Sequence, residues 1–368
     1  MITAVVMVGA AGQGRDPASW VQAARRAATM DLNEQLAGHS LINSIILASP
    51  ERGQLQAAPI QTFVPTPRGK IHVGRQLSQM VERFEISRLL YFGGGSAPLI
   101  TDEALETVIR QLAGDEVLAI TNNKFASDWL GLSDARLLAD WVPRLPRDNM
   151  LGWVLSNEAG VPVQAQEVSA ASRLDIDTPV DLLALTLHPA TKEHLRRLLD
   201  SLPLPVSRLQ RALDVLATPA SHVFIAGRVA PEVWLSVNRA TQSWLRVVSE
   251  ERGMVSSGRQ SRGEVRSLLA SYVDQLGLER FFETLPEWAD AAFIDTRVLL
   301  AHRQCWPDAQ SRFASDLGRP GDVADDWLRS FTEKAVQAAI PVILGGHGLM
   351  SGAMLAFCET LQFRKQET

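Results

Sequence analysis

Short apolar runs alternate with amphipathic segments through about the first 190 residues, and this alternation constrains the fold more than any other feature of the chain. The run Leu89–Phe92 is apolar at every position, as in a strand that is buried on both faces of a sheet. Strand–helix alternation of this kind is typical of a largely parallel α/β sheet. Four runs are predicted to be strands: Ile2–Val8, Ile42–Ala48, Arg88–Phe92 and Glu116–Thr121.

Two helix starts can be recognised from their end residues. Thr101 is expected to cap a helix whose apolar positions recur at spacings of three and four residues, and Gly114 is expected to end it. A second helix is expected to start at Thr178-Pro179, with Asp181 at its third position. Ligands in such sheets bind at the carboxyl ends of the strands, so the loops that follow the strands hold the candidate site.

The pattern changes from about residue 191, which predicts a second domain. A strand, His222–Ala226, and a late strand, Pro341–Leu344, are expected among longer helical segments. Two of these segments, Pro231–Glu250 and Glu264–Leu276, are predicted to be continuous helices.

Chain length supports the same division, because single cores stop growing at about 250–300 residues and this chain has 368. The predicted domains are residues 1–190 and 221–368, with a helical linker region over 191–220. The predicted fold class is α/β, with a three-layer Rossmann-like first domain and a second, helix-rich α/β domain.

Composition limits the classes of partner. Lys and Arg number 36 against 41 Asp and Glu, so nothing indicates nucleic-acid binding through bulk positive charge. No stretch approaches the roughly 18 uncharged apolar residues of a membrane span, so no membrane partner is predicted. Two cysteines and an uncharged N-terminal run favour a reducing compartment without a signal peptide, and a cytoplasmic location is therefore expected.

The first predicted strand ends in a glycine-rich loop that contains Gly9, Gly12, Gly14 and Arg15. Glycines let backbone N–H groups approach a phosphate, and the Arg15 guanidinium would add further donors. The loop lacks the third glycine of the Rossmann fingerprint and the Lys-Ser/Thr ending of a P-loop. A tight turn without a ligand remains the alternative interpretation.

Three further segments resemble nucleotidyltransferases with a GT-A-like fold. Tyr91–Thr101, which includes Gly93-Gly94-Gly95-Ser96-Ala97-Pro98, is similar to their strand end Gly-Asp-x-Pro-Leu-Leu-Thr. Leu174–Leu182 is similar to their Asp-Ile-Asp-Thr-Pro-Glu-Asp-Leu segment, and His72–Leu77 lies where these enzymes have a glycine-containing helix start. The order of the segments over residues 2–187 resembles the molybdenum-cofactor guanylyltransferase and 2-phospholactate guanylyltransferase group.

The resemblance implies that an acceptor phosphate or hydroxyl attacks the α-phosphate of a nucleotide, with Mg²⁺ held by carboxylates. Asp175 is the implied metal ligand, and Asp175, Asp177 and Asp128 are the candidate catalytic carboxylates. Because Asp175 and Asp177 alternate on an extended segment, only one of them is expected to reach the metal. The implied nucleotide-binding residues are Gly9, Gly12, Gly14, Arg15, Arg75, Gly94, Gly95, Ser96 and Asn122.

Two departures from the family pattern define an alternative. Ser96 stands where the family has a metal-binding Asp, and Asp128 is the nearest carboxylate that could replace it. The family also has a Lys after the first loop, whereas the first Lys here is Lys70. The alternative is a domain that has lost catalysis and serves as a ligand-binding or assembly module. Asn122 likewise fits either substrate contact or ordinary loop hydrogen bonding.

The second half offers a separate candidate site for anions. Ser256, Ser257, Arg259 and Arg262 precede the predicted helix start at Glu264, where backbone N–H groups and guanidinium groups could bind a phosphate. His347 lies in a second strand–glycine–helix segment and is grouped with them.

Other assignments for the second half stay open. A solvated loop would explain the residues before the predicted helix as well. The polar islands Asp295–Arg297 and Ser315–Arg319 are interpreted as structural ion pairs or turns. Chemistry in the second domain and assembly into a homo-oligomer both remain open.

Overall fold

The computed structural model describes residues 1–9, 14–52 and 61–366. The chain forms two compact units that exchange short segments, whereas the limits predicted from sequence are continuous. The first unit comprises Met1–Gln13, Gln22–Ile176 and Thr191–Leu198, and the second comprises Gly14–Val21, Asp177–Ala190 and Leu199–Thr368.

The first unit contains a seven-stranded sheet with the order β3-β2-β1-β4-β6-β5-β7. Strand β6 pairs antiparallel with both of its neighbours, and the other pairings are parallel. The strands are β1 (Ile2–Met7), β2 (Ile42–Ser49), β3 (Gln61–Pro65), β4 (Leu89–Phe92), β5 (Ala119–Thr121), β6 (Trp129–Leu132) and β7 (Val163–Ala165).

Helices cover both faces of this sheet. Those of the first unit include α1 (Pro17–Ala37, whose first turn belongs to the second unit), α2 (Val73–Arg83), α3 (Asp102–Ala113), α4 (Leu151–Asn157) and α5 (Ala170–Arg173), with 3-10 turns over Ala135–Arg144 and Asp148–Met150. One buried cluster joins α1 and α3 to alternate residues of β1 and β4, such as Val6 and Phe92. A second cluster joins α2 and α4 to Val5 and Tyr91 on the opposite face. This layering confirms the predicted three-layer α/β architecture.

The predicted helix ends are confirmed. The Thr101 hydroxyl accepts a hydrogen bond from the Ala104 N–H, and α3 ends before Gly114. Helix α6 (Pro179–Leu187) begins after Thr178, whose N–H and hydroxyl both donate to Asp181. Side-chain caps of this kind satisfy backbone donors that have no partner within a helix, which is why the end residues could be read from sequence.

The second unit contains a fully parallel four-stranded sheet, β11-β10-β8-β9, formed by β8 (His222–Gly227), β9 (Trp244–Ser249), β10 (Ala291–Asp295) and β11 (Val342–Gly345). Its core is apolar and aromatic, with Phe281, Phe293 and Phe331 fully buried. A π-helical turn, Leu349–Ala353, precedes the last helix. The remaining helices of the chain are α7 (Glu193–Ser201, shared by the two units), α8 (Val206–Ala217), α9 (Pro231–Ala240), α10 (Leu268–Leu276), α11 (Leu278–Thr284), α12 (Thr296–His302), α13 (Ala309–Asp316), α14 (Asp326–Gln337) and α15 (Met354–Gln366).

Two helix predictions in this unit are wrong. The segment predicted as Pro231–Glu250 is helical only to Ala240, and Trp244–Ser249 forms the edge strand β9. β9 contains Val247 and Val248, and β-branched residues favour strands where one face is solvated. The predicted helix at Glu264 begins instead at Leu268, because the Ser267 hydroxyl caps it by accepting from the Ala270 N–H.

No helix within residues 1–9, 14–52 and 61–366 is both long enough and apolar enough to cross a bilayer.

Candidate functional site

The carboxyl ends of β1 and β4 form the topological switch point of the first sheet. The chain passes from β1 outward to β2 and β3, and β4 then lies on the other side of β1. Such a point opens a crevice beyond the strand ends where ligands bind in α/β sheets. A Cβ at Gly94 would lie 2.8 Å from the Met7 carbonyl oxygen and 3.5 Å from the Gly9 nitrogen. Glycine at position 94 therefore lets the two strand ends approach closely.

Gly93 permits a second close approach at the same edge. Its N–H donates to the Asp128 carbonyl oxygen at 2.9 Å, and a Cβ at this position would lie 3.1 Å from Oδ2 of Asp148. The Tyr91 hydroxyl donates to that same Oδ2 at 3.2 Å. Glycine is therefore needed where β4 ends for the Asp148 carboxylate to reach the tyrosine.

Three carboxylates influence the buried Tyr91 hydroxyl. Burial raises the pKa of Tyr91 well above its usual value, and the negative charge of Asp148 raises the pKa further. The charges of Asp128 and Asp175 act in the same direction. Tyr91 therefore remains protonated at neutral pH and acts as a hydrogen-bond donor. The electrostatic environment at the end of β4 is acidic.

Ser96 and Asp175 lie opposite each other in an isolated antiparallel bridge. The Ser96 hydroxyl is buried and donates to the Gly93 carbonyl oxygen at 2.8 Å, so it closes the turn that follows β4. Gly95 has a φ of +90°, and its carbonyl oxygen accepts from the Ile176 N–H. The segment that contains Asp175 is thus held to the glycine turn through the backbone.

Asn122 joins the end of β5 to the loop that contains Asp128. Its Nδ2 donates to Oδ2 of Asp128 at 2.7 Å and to the Ser172 carbonyl oxygen at 3.1 Å. Its Oδ1 accepts from the N–H groups of Asp128 and Trp129. These contacts orient the Asp128 carboxylate. Nucleotide contact by Asn122 stays a prediction.

The residues at this edge would fit Mg²⁺ that is held jointly by carboxylates and substrate phosphates. The described part of the chain contains no group of three His, Cys, Asp or Glu side chains placed to hold a metal ion. Protein-bound Mg²⁺ is commonly held by one or two carboxylates together with substrate phosphates, so a three-residue set is not required. Asp175 and Asp128, whose charges both reach the Tyr91 hydroxyl, are the carboxylates available for that arrangement. Mg²⁺ and the role of Asp175 stay predictions.

The other residues predicted for this site are distributed differently. Gly9 and Arg75 belong to the first unit, and Arg75 is exposed on the first turn of α2. Gly14, Arg15 and Asp177 belong to the second unit and are exposed. Gly12 lies outside the described residues.

The residues predicted for an anion site in the second half are mostly engaged with groups of their own loop. Arg259 forms an ion pair with Glu251 and also donates to the Ser257 hydroxyl, and Arg262 pairs with Glu264 at 2.8 Å. Ser256 donates to a backbone carbonyl within the loop. Since α10 begins at Leu268, this loop does not lead directly into a helix at Glu264, which was the basis of the prediction.

Sequence reasoning missed Asp148 and the role of Tyr91. Asp148 lies in a short 3-10 turn far from the motifs, and no spacing connects it to Tyr91. The predicted structural ion pair was found: Arg297 pairs with buried Asp316 at 2.5 and 2.6 Å.

A cavity of about 890 Å³ lies at the opposite edge of the first sheet. It is lined by residues next to the amino ends of β1, β4 and β5, including Met1, Arg88 and Val117. The convergent carboxylates and glycines lie at the carboxyl ends instead, so we assign the candidate site there.

No family model and no curated protein matches the chain. Among solved structures, a cytidylyltransferase from Leptospira borgpetersenii serovar Hardjo-bovis is similar with a TM-score of 0.38 and 14% identity, over 55% of this chain and 94% of that one. A protein named as a nucleotide-diphospho-sugar transferase, from Desulfovibrio desulfuricans, is similar with a TM-score of 0.38 and 17% identity, over 55% of this chain and 96% of that one. Likenesses of this size assign neither a substrate nor a site residue. The guanylyltransferase resemblance stays a prediction.

Proposed function

We propose that the first unit binds a nucleotide at the carboxyl ends of β1 and β4 and transfers its nucleotidyl group to a small phosphorylated acceptor. The observation that carries the proposal is the set of three carboxylates at the switch point of the sheet: Asp148 accepts from the Tyr91 hydroxyl, Asp175 is bridged to Ser96 in the glycine turn, and Asp128 is held by Asn122. Carboxylates beside a phosphate-accessible backbone are the elements that metal-assisted phosphoryl chemistry requires.

Each residue has a role that follows from its contacts. Gly94 lets the ends of β1 and β4 approach closely, so that the backbone of both strand ends would border the bound phosphates. Asp175 and Asp128 would hold Mg²⁺, which when bound neutralises charge on the phosphates. Asn122 orients Asp128 through two hydrogen bonds, and Tyr91 orients Asp148 by donating to it.

The test is pyrophosphate release from each of the four common nucleoside triphosphates with Mg²⁺ and a panel of phosphorylated acceptors. Asp175→Asn keeps an oxygen that can accept from the Ile176 N–H, so local folding is preserved. We expect this variant to lower the rate by about 100-fold or more, as is usual when one transition-state contact is removed. Asp140→Asn, at an exposed position in the same unit, is the matched control and should retain the wild-type rate. Equal rates for the wild type and Asp175→Asn would contradict the proposal.

One observation favours a second function, nucleotide binding without transfer. Ser96 replaces the carboxylate of the family pattern, and its hydroxyl is bonded to Gly93. A binding module would be stabilised by a nucleotide without Mg²⁺, by about 2.7 kcal/mol at 100 times the dissociation constant. Thermal stabilisation without pyrophosphate release would select this function over the first.

A further inference from the structure

The second sheet has its own topological switch point, between β8 and β10. The chain passes from β8 to β9 on one side and then returns to place β10 and β11 on the other. The crevice for a ligand is therefore expected beyond the carboxyl ends of β8 and β10. Arg228 directly follows β8, and Asp295 is the last residue of β10.

These two residues form a buried, bidentate ion pair. Nε of Arg228 donates to Oδ2 of Asp295 at 2.6 Å, and Nη2 donates to Oδ1 at 3.1 Å. Burial acts to raise the pKa of Asp295, but the Arg228 charge outweighs it and the net pKa is lowered. Within the described residues, Nη1 of Arg228 has no hydrogen-bond partner. The guanidinium is thus held in a fixed orientation with donor capacity left over.

A glycine turn follows the neighbouring strand β11. Gly346 and Gly348 both lie against charged side chains. A Cβ at Gly346 would lie 3.2 Å from Nε of Arg297, and a Cβ at Gly348 would lie 2.5 Å from Oδ1 of Asp181. The turn leads into the π-helical segment, a feature often found at functional sites. Any residue other than glycine would collide with the Asp181 carboxylate at position 348 and would crowd the Arg297 guanidinium at position 346.

Asp181 supplies an independent indication of a ligand. The residue is 1% exposed, and its Oδ2 accepts three hydrogen bonds from Asp177 and Thr178. Its Oδ1, which lies against Gly348, has no hydrogen-bond partner in the part of the chain that the structure describes. Buried carboxyl oxygens are nearly always satisfied, so this atom requires a hydrogen-bond partner from outside the described residues.

Two more donors lie near the same turn. His347 is exposed within the turn, and Arg252 is exposed shortly after β9. The N–H of Glu250, two residues before Arg252, donates to the Gly227 carbonyl oxygen at the end of β8 at 3.0 Å. The charges of Arg228 and Arg252 both act on the His347 imidazole. Desolvation of the imidazole by the surrounding protein lowers the pKa of His347, and the positive charge of Arg228 lowers it further. The residue as a whole is nevertheless exposed. Arg252 has no side-chain partner among the described residues, unlike Arg259 and Arg262.

We propose that the carboxyl end of the second sheet binds a phosphate monoester that carries a free hydroxyl group. Arg228, Arg252 and His347 contact the phosphate, and the ligand hydroxyl forms a hydrogen bond with Oδ1 of Asp181, as donor to the carboxylate or as acceptor from the carboxylic acid. Two guanidinium groups beside a glycine turn are suited to a doubly charged phosphate, and the buried unpartnered oxygen favours a hydroxylated ester over inorganic phosphate. This site lies in the second unit and is independent of the function proposed for the first.

The test is isothermal titration of the full-length protein with glycerol 3-phosphate, with inorganic phosphate as the ligand that lacks the hydroxyl. We expect Arg252→Ala to weaken binding of glycerol 3-phosphate by about 10-fold or more, equivalent to 1.4 kcal/mol. Arg262→Ala is the matched control, because Arg262 is exposed and already paired with Glu264. It should bind as the wild type does. Asp175→Asn should also leave this binding unchanged, which separates this site from the one in the first unit.

Three outcomes would overturn the proposal. The first is that glycerol 3-phosphate gives no heat of binding up to about 10 mM. The second is unchanged affinity in Arg252→Ala, and the third is an equal loss of affinity in Arg252→Ala and Arg262→Ala. A second readout uses proton NMR of the seven histidines, with His347→Gln to assign one resonance. Bound phosphate should raise the pKa of His347, and a resonance that titrates identically with and without glycerol 3-phosphate would contradict phosphate contact.

Discussion

The switch point of the first sheet is surrounded by carboxylates, whereas that of the second sheet is built from arginines already locked in ion pairs. At the first, Asp128, Asp148 and Asp175 act together on one tyrosine. At the second, Arg228 and Arg297 each donate two side-chain hydrogen bonds to one buried carboxylate. Similar topology thus supports two charge arrangements. Under the two proposals, a phosphate at the first switch point would need a cation from solution to accompany it, whereas a phosphate at the second would meet cationic side chains of the protein.

The two charge arrangements should also respond differently to mutation, the first in activity and the second in stability. Buried ion pairs are strongly coupled to folding, because removing one partner leaves the other charged and desolvated. The three carboxylates at the first switch point are only half-buried, so removing one of them should cost the fold less. The second switch point should therefore be sensitive to mutation in stability, and the first mainly in activity.

The largest effect is expected at Asp295. Asp295→Ala leaves Arg228 buried without its partner and should lower the free energy of unfolding by about 3–5 kcal/mol in urea denaturation. Asp274→Ala, which breaks the more exposed pair with Arg303, is the control and should cost less than about 1 kcal/mol. The double variant Arg228→Met/Asp295→Leu should recover most of the loss. A single-variant cost equal to that of the control would remove the contrast between the two switch points.

The next effect concerns pH and Asp181. Burial, with a smaller contribution from the Asp177 charge, raises the pKa of Asp181 from 3.8 to about 7. The folded protein therefore holds a proton that the unfolded chain releases near pH 4. The stabilisation is complete below about pH 4 and is lost as pH rises through 7.

Relative to Asp181→Asn, the wild type should thus lose up to about 4 kcal/mol of unfolding free energy between pH 4 and pH 8. Denaturant titrations of both proteins at a series of pH values measure this difference. Asp140→Asn, which alters an exposed carboxylate, is the matched control for the substitution itself. A difference between the wild type and Asp181→Asn that does not change with pH would contradict the raised pKa of Asp181.

The parts of the fold that could be predicted from sequence are those that local chemistry determines. Thr101 and Thr178 mark helix starts because their capping contacts involve residues only three positions away. The apolar run at Leu89–Phe92 predicts a central strand because both faces are buried. The prediction of helix over the strand Trp244–Ser249 is wrong because this strand lies at a sheet edge, where its exposure varies and none of its residues is fully buried.

Less of the candidate site could be predicted, because its residues meet only through tertiary structure. The glycines and Ser96 follow from the loop after β4, and Asp175 follows from a motif. Asp148 reaches Tyr91 across 57 positions of sequence, and Asp295 reaches Arg228 across 67. The density of arginines in the loop before α10 predicts an anion site, yet Arg259 and Arg262 form ion pairs with the nearby Glu251 and Glu264. Arg252 differs from its neighbours only in what surrounds it in three dimensions.

The smallest effect is expected at Tyr91. Tyr91→Phe removes one hydrogen bond to Asp148 while keeping the buried ring, so the free energy of unfolding should fall by about 0.5–1.5 kcal/mol. Tyr272→Phe is the matched control, since Tyr272 is the other tyrosine of the chain and is 39% exposed. Its change should stay within about 0.5 kcal/mol, as is usual at surface positions. Both are measured by urea denaturation at pH 7. A loss at Tyr91 as large as that at Asp295 would mean that the first switch point is also built as a buried ionic network. The carboxylates there would then have to be interpreted as structural rather than as groups that await a cation.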